Sequence, residues 1–309
     1  MNLNFKFNFK ETYIMKKILP VLLIILLIFS GCSAGKTDVT DNGKLTITAT
    51  IFPQYDFLRE ITKGADVQLD MLISPGKEVH GFESTLSDIA KVSESDLFVY
   101  VGSEDDKWVE EVPSSGNTRI ALTDIITEYE DEHVWTSPKN AIKIVWSLKD
   151  ALCTLDPENA EIYISNTEKY VSELKELDKG FEEIVSKSEN PTIVFAERFP
   201  FLNLAKTYGI KHYSAFEGCS TETEAGIKTI NFLVEKVKEE KIPAIFTIEF
   251  SDAVVAEKIS EETGAEVRQF HSCHNVTDEE FENGETYLSL MSENLENLKL
   301  ALHKNAVGD

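Results

Sequence analysis

Cysteine is scarce, four residues in 309, too few for a disulfide scaffold. Basic residues are short as well, 30 Lys and Arg against 54 Asp and Glu, for a formal net charge of −24. Affinity for nucleic acid rests largely on phosphate neutralisation by Lys and Arg, so a body this acidic is a poor nucleic-acid binder. It suits a cationic partner such as a metal ion. No apolar run reaches the roughly 20 residues that span a bilayer. There is no His-Glu-x-x-His and no Gly-x-Ser-x-Gly, so two common hydrolase signatures are missing. Short-period repeats, low-complexity tracts and histidine-rich loops are missing too. What is present is an ordinary globular balance, 42% hydrophobic and 27% charged, in a length that admits one large or two medium domains.

The N-terminus carries an address. Lys16 and Lys17 precede an apolar run from Ile18 to Phe29, followed by Ser30, Gly31 and Cys32. A basic start, a short apolar core and small residues at its end read as a secretory signal over residues 1–31. Met15 is the expected true start, with 1–14 a mis-called extension. Residues 33–43 are polar and turn-rich, so 32–43 reads as a tether.

The rest reads as two α/β halves. Alternating, β-branched Lys44 to Ile51 predicts a strand, as do Val67 to Ile73 and Asp96 to Val101, with helices between them. Strands alternating with helices argue for a parallel sheet covered on both faces. From Pro157 to about Ser188, Tyr163, Tyr170, Leu174, Leu177 and Phe181 recur at near-helical spacing, with Asp156 placed as the N-cap. Beyond it, Pro191 to Phe195, Tyr213 to Phe216, Ala244 to Ile248 and Val267 to Phe270 predict further strands alternating with helices. The expected organisation is an N-terminal α/β lobe over 44–155, a linking helix over 156–190 and a C-terminal α/β lobe over 191–309.

Six histidines occur in the chain. His80, His133, His271 and His274 fall just after predicted strands or in loops before helices, where ligands bind open α/β sheets. His212 and His303 read as surface residues. The acidic runs Glu104 to Asp106 and Glu128 to Glu132 read as solvated faces, though the second abuts His133.

Several segments carry a resemblance. They are Phe29-Ser-Gly-Cys32, Pro75-Gly-x3-His80-x-Phe82-Glu83, Asp96-Leu-Phe-Val-Tyr-x-Gly102, Glu132-His-Val-Trp-x-Ser-Pro-Lys-Asn-Ala141, Tyr208-Gly-Ile210, Ser220-x-Glu222-x-Glu224-Ala225 and Thr263-Gly-Ala-Glu-Val267. Together the sequence resembles the solute-binding lipoproteins of bacterial ABC transporters for zinc and manganese. The first segment resembles a lipobox, which implies a lipid on Cys32 and a place on the outer face of the cytoplasmic membrane. The resemblance implies two Rossmann-like lobes with parallel sheets, one long rigid helix joining them, and a metal in the interlobe cleft. It also implies an ABC permease as partner, and a monomer is expected.

Residue by residue, the resemblance puts the first two metal ligands at His80 and His133. The family's third position, usually histidine, falls on Arg198, whose guanidinium has no available lone pair. Neighbouring Glu197 could supply an oxygen, or pair with Arg198 at the helix start. The fourth position, usually Asp or Asn, falls on His271. Three imidazoles, His80, His133 and His271, would favour Zn²⁺. The remaining ligand stays open among Glu197, Cys219, Cys273, His274, Glu249 and water. Cys219 and Cys273 either ligate as thiolates, pair as a disulfide or stay free; Glu249 could instead orient an imidazole. The expected function is capture of Zn²⁺ and delivery to the permease, with no enzymatic activity. The alternatives are the same role for Mn²⁺ or Fe²⁺, an exported zinc hydrolase, or an adhesin that retains the binding fold.

Overall fold

The computed structural model describes residues 43–113, 116–218 and 225–302. The signal and lipidation readings, Cys32 included, lie outside the described residues, as do Cys219, the Ser220-x-Glu222-x-Glu224 segment and His303. Lys44 onward forms one compact unit.

The first half runs β1 (Thr46–Ala49), α1 (Phe52–Thr62), β2 (Gln68–Met71), α2 (Leu86–Glu94), β3 (Leu97–Tyr100), a 3-10 segment (Glu104–Glu111), β4 (Thr118–Ala121) and a single turn, α3 (Leu122–Ile125). A 3-10 turn over Val134–Thr136 leads into α4 (Pro138–Leu155), and another over Pro157–Asn159 leads into α5 (Ala160–Ser186). The second half runs β5 (Thr192–Phe199), α6 (Leu202–Tyr208), β6 (Lys211–Glu217), α7 (Ile227–Glu240), β7 (Ala244–Thr247), α8 (Val254–Thr263), β8 (Glu266–Gln269), α9 (Asp278–Glu282) and α10 (Tyr287–Leu302).

Two parallel four-stranded sheets result, in the orders β2-β1-β3-β4 and β6-β5-β7-β8. One central strand of each sheet is apolar on both faces: Leu97, Phe98 and Val99 in β3, and Ala244, Ile245 and Phe246 in β7, are all buried. Such runs are what a sheet covered by helices on both sides requires. The chain is an α/β protein of two parallel-sheet lobes.

The linking helix α5 has 27 residues, about 40 Å at 1.5 Å per residue. Its buried stripe of Tyr163, Tyr170, Val171, Leu174, Leu177, Phe181 and Val185 packs against α1 and α4 of the first half and α10 of the second. One apolar core therefore runs through both lobes, from Ile47 and Phe57 to Phe270, Tyr287 and Leu298. The start of the helix differs from the expectation. Pro157 opens a 3-10 turn, with Asp156 at its N-cap position but making no side-chain cap bond. Its carboxylate accepts from the Tyr163 hydroxyl (2.6 Å) and the Asn159 side-chain amide (2.7 Å).

Strand β4 was not placed from the sequence, and of α4 only a helix around Cys153 was expected, without bounds. The β4 residues Thr118, Arg119 and Ile120 are only half-buried, so β4 lacks the apolar signal of its neighbours. Strand β5 runs past the expected Phe195 to Phe199, with a register shift between Phe195 and Arg198. A shift of this kind re-aims side chains at the end of a strand.

Candidate metal centre

Four C-terminal strand ends feed the cleft. The segment after β2 carries His80, the one after β4 and α3 carries His133, the one after β7 carries Glu249, and the one after β8 carries His271 to Asn275. These segments are bound to one another across the lobes. The Asn275 amide donates to the carbonyls of Ser74 (2.8 Å) and Lys77 (2.9 Å). The Gly76 amide donates to the Val276 carbonyl at 2.7 Å, and the Phe52 amide to the His274 carbonyl at 3.3 Å. Glycine is needed at position 76, where φ is +71° and a Cβ would stand 3.0 Å from the Asp278 carboxylate.

His80, His133 and His274 meet there. One nitrogen from each lies within 4.8 Å of the others, and the His274 ring sits 4.9 Å from that of His80 and 4.7 Å from that of His133. A cavity of about 40 Å³ opens against all three, walled by Ile51, Ile73, Val79 and Trp135 with Asp105, Asp106 and Glu132 at its polar side.

Two of the three imidazoles are aimed by an oxygen hydrogen-bonded to Nδ1. Asp131 Oδ2 lies 2.9 Å from His133 Nδ1, and Asp131 is itself held by the Asn203 side chain at 2.7 Å. Ser272 Oγ contacts His274 Nδ1. Asp105 Oδ2 stands 3.7 Å from His80 Nδ1. With Nδ1 engaged in His133 and His274, Nε2 is the nitrogen that those two rings present to the cluster. Burial lowers the pKa of His80. It lowers that of His274 to about 3, with the neighbouring His133 and His80 adding to the effect. Both rings are therefore neutral, lone pairs available, at pH 7.

The third imidazole is thus His274, where the sequence reading placed His271. His271 is turned away. Its Nδ1 accepts the Cys273 amide proton at 2.9 Å, and its Nε2 faces Glu280 Oε1 at 3.8 Å. Glu249 also lies 3.8 Å from Nδ1; burial works to lower the His271 pKa, but Glu249 and Glu280 outweigh it and hold it well above its ordinary value. Glu280, which faces His271 and accepts the Thr277 amide proton at 2.7 Å, has its pKa brought down to about 2. The turn that separates the two histidines is made at Cys273, a non-glycine residue with φ +62°.

The other candidates divide. Glu249 is buried behind His274 and accepts the Ser272 amide at 2.8 Å. Burial works to raise its pKa, but His271, His274 and the Ser272 hydroxyl outweigh it and keep the carboxyl ionised. Cys273 is a free, fully buried thiol, raised in pKa by that burial. Cys153 is a free thiol on α4, half-buried. Glu197 and Arg198 do not pair with each other at a helix start. They end β5, where Arg198 reaches Glu78 at 3.6 Å and Glu197 accepts from the Ser251 hydroxyl. Glu197 lines a separate cavity of about 210 Å³ with Phe216, Phe250 and Asp252. Burial, with Asp252 and Glu249 nearby, pushes its pKa up to about 7.

Sequence reasoning missed Asp131, Ser272, Trp135 and Asn203. Only Asp131 left a signal, a carboxylate two residues before a histidine.

Comparison with known proteins agrees with this fold. The sequence model of the family described as zinc-uptake complex component A, periplasmic, matches residues 47–301. The zinc-binding lipoprotein AdcA of Streptococcus pneumoniae is 30% identical over 310 residues, covering 92% of this chain and 61% of that protein. The chain therefore spans under two thirds of the length of the AdcA relatives it matches. The high-affinity zinc uptake system protein ZnuA of Bacillus subtilis is 28% identical over 303 residues, covering 90% and 94% of the two chains. Among solved structures, the Zn(II)-bound ZnuA-like domain of S. pneumoniae AdcA superposes with a TM-score of 0.73 at 30% identity, covering 84% of this chain and 99% of that one.

Proposed function

The chain belongs to the zinc-uptake complex component A family, and from that membership and the site's geometry we infer that it captures Zn²⁺ outside the cytoplasmic membrane. In this reading it is a binding component, not an enzyme, and passes its ion to an ABC permease. It is tethered by lipid at Cys32 after removal of residues 1–31, with 44–155 and 191–309 as lobes about the 156–190 link.

The observation that carries the reading is the convergence of His80, His133 and His274. Three imidazole nitrogens suit zinc, whereas manganese and magnesium favour oxygen-rich shells. Zn–N bonds of about 2.0–2.1 Å in a tetrahedron put the nitrogens about 3.3 Å apart. The rings need only close inward by an ångström or so from their present spacing. Because burial keeps His80 and His274 deprotonated at neutral pH, the ion displaces no proton from either. The fourth position is left for water, in a cavity that Asp106 and Glu132 also line.

The test is metal competition. The purified protein is stripped with chelator and dialysed anaerobically against equimolar Zn²⁺, Mn²⁺ and Fe²⁺, and bound metal is counted by elemental analysis. One zinc per chain with little manganese or iron is the expected result. One manganese or iron in its place would overturn the zinc assignment, and no bound metal would remove the function.

A further inference from the structure

Resting on the three-histidine reading above, we propose that Glu249 and Ser272 form a relay that fixes the tautomer and the aim of His274. Neither residue reaches the ion, so both are positioning residues. Ser272 Oγ has one proton to give and two lone pairs. Three groups surround it: a carboxylate oxygen of Glu249, Nδ1 of His274 and, at 3.3 Å, the backbone amide of His274. Both Glu249 oxygens accept from Ser272, one from its amide and the other from its hydroxyl, so the hydroxyl proton goes to Glu249. The two lone pairs are left for the His274 amide and for a proton on Nδ1. That places the His274 ring proton on Nδ1 and the lone pair on Nε2, facing His80 and His133.

Ser272 is held rigidly enough to impose this. Its amide donates to the second Glu249 oxygen at 2.8 Å, and its carbonyl accepts the Trp135 indole N–H at 2.9 Å. All its polar groups are thus engaged, and the residue is fully buried, so water does not compete for them. The opposite order, a hydroxyl donating to Nδ1, would leave a carboxylate facing an oxygen lone pair in a buried site. A carboxylate behind a metal-binding histidine normally acts on the ring directly; here a serine hydroxyl is interposed.

Two measurements test the relay. Nitrogen-15 NMR of the metal-free wild-type protein reads the His274 tautomer: Nδ1–H is expected, and a ring protonated on Nε2 would overturn the proposal. Zinc affinity by chelator competition is then measured for Glu249→Gln, Ser272→Ala, His274→Ala and the two double variants with His274→Ala. Loss of an outer-shell partner typically weakens metal binding about 10- to 100-fold, and that loss is expected for Glu249→Gln and Ser272→Ala. It should vanish when His274 is already alanine, because the relay acts only through that ring. An equal loss in the His274→Ala background would mark the pair as mere scaffold and overturn the proposal. No loss in either single variant would do the same. Wild-type affinity in His274→Ala would instead overturn the three-histidine site itself.

Discussion

Trp135 donates its indole N–H to the carbonyl of Ser272 at 2.9 Å, which pins the segment carrying His133 to the loop carrying His274. The same tryptophan presents its ring to His274, centroids 5.1 Å apart, and its carbonyl accepts the Tyr287 hydroxyl at 2.6 Å. The spacing of two imidazoles from different lobes is therefore set by the protein. Trp135→Phe keeps the ring contact and removes the donor. It should cost about 1–3 kcal/mol of stability, the usual toll for orphaning a buried carbonyl. Chemical denaturation of the metal-free protein measures this, and unchanged stability would show that the bond does not hold the loop.

Alanine substitutions separate the two loop histidines. His80→Ala, His133→Ala and His274→Ala should each weaken zinc binding at least about tenfold, since each removes one ligand from a shell that zinc fills with four. His271→Ala should still bind one zinc per chain and show its cost in stability, where Glu280 loses its partner. Calorimetric titration of the four variants checks both statements. A collapse of stoichiometry in His271→Ala alone would reverse the assignment.

Asp131 gives a sharper test of orientation. Its Oδ2 meets His133 Nδ1 at 2.9 Å while Asn203 holds its Oδ1 at 2.7 Å. Asp131→Asn preserves size but no longer offers a charged acceptor on both sides. Zinc affinity is expected to fall about 10- to 100-fold. Asn203→Ala, one step further out, should fall less. Competition against a zinc chelator gives the order, and an Asn203→Ala loss exceeding that of Asp131→Asn would contradict it.

The features legible in the sequence are those whose physics is local. The apolar stripe of α5 repeats at helical spacing, and β3 and β7 are continuous apolar runs, so both lobes and the long helix could be read directly. His80 and His133 stood in distinctive loop segments. The choice between His271 and His274 was not legible, because it turns on the left-handed backbone at Cys273. That conformation ordinarily announces itself by glycine; here packing of the loop imposes it on a cysteine. Strand β4 was hidden for a related reason. Arg119 lies in its middle and spends its guanidinium on the carbonyls of Val109, Val112 and Pro113, which no one-dimensional pattern reveals.

Glu197 carries a pH signature of its own. In the unfolded chain its carboxyl titrates near 4.5, and in the fold near 7, because burial and the acidic neighbours Asp252 and Glu249 disfavour the charge. An acid with a raised folded pKa holds, between those two values, a proton that the unfolded chain has released. Its support for folding is therefore complete below pH 4.5 and is lost as pH climbs through 7. Glu197→Gln keeps an acceptor for the Ser251 hydroxyl and abolishes the ionisation. The melting temperatures of variant and wild type should lie close together near pH 4.5, and the variant should become the more stable as pH rises to 8. Thermal scans of the metal-free proteins across that range decide it. A constant gap, or one that widens toward acid, would mean that Glu197 is ionised in the folded chain at neutral pH.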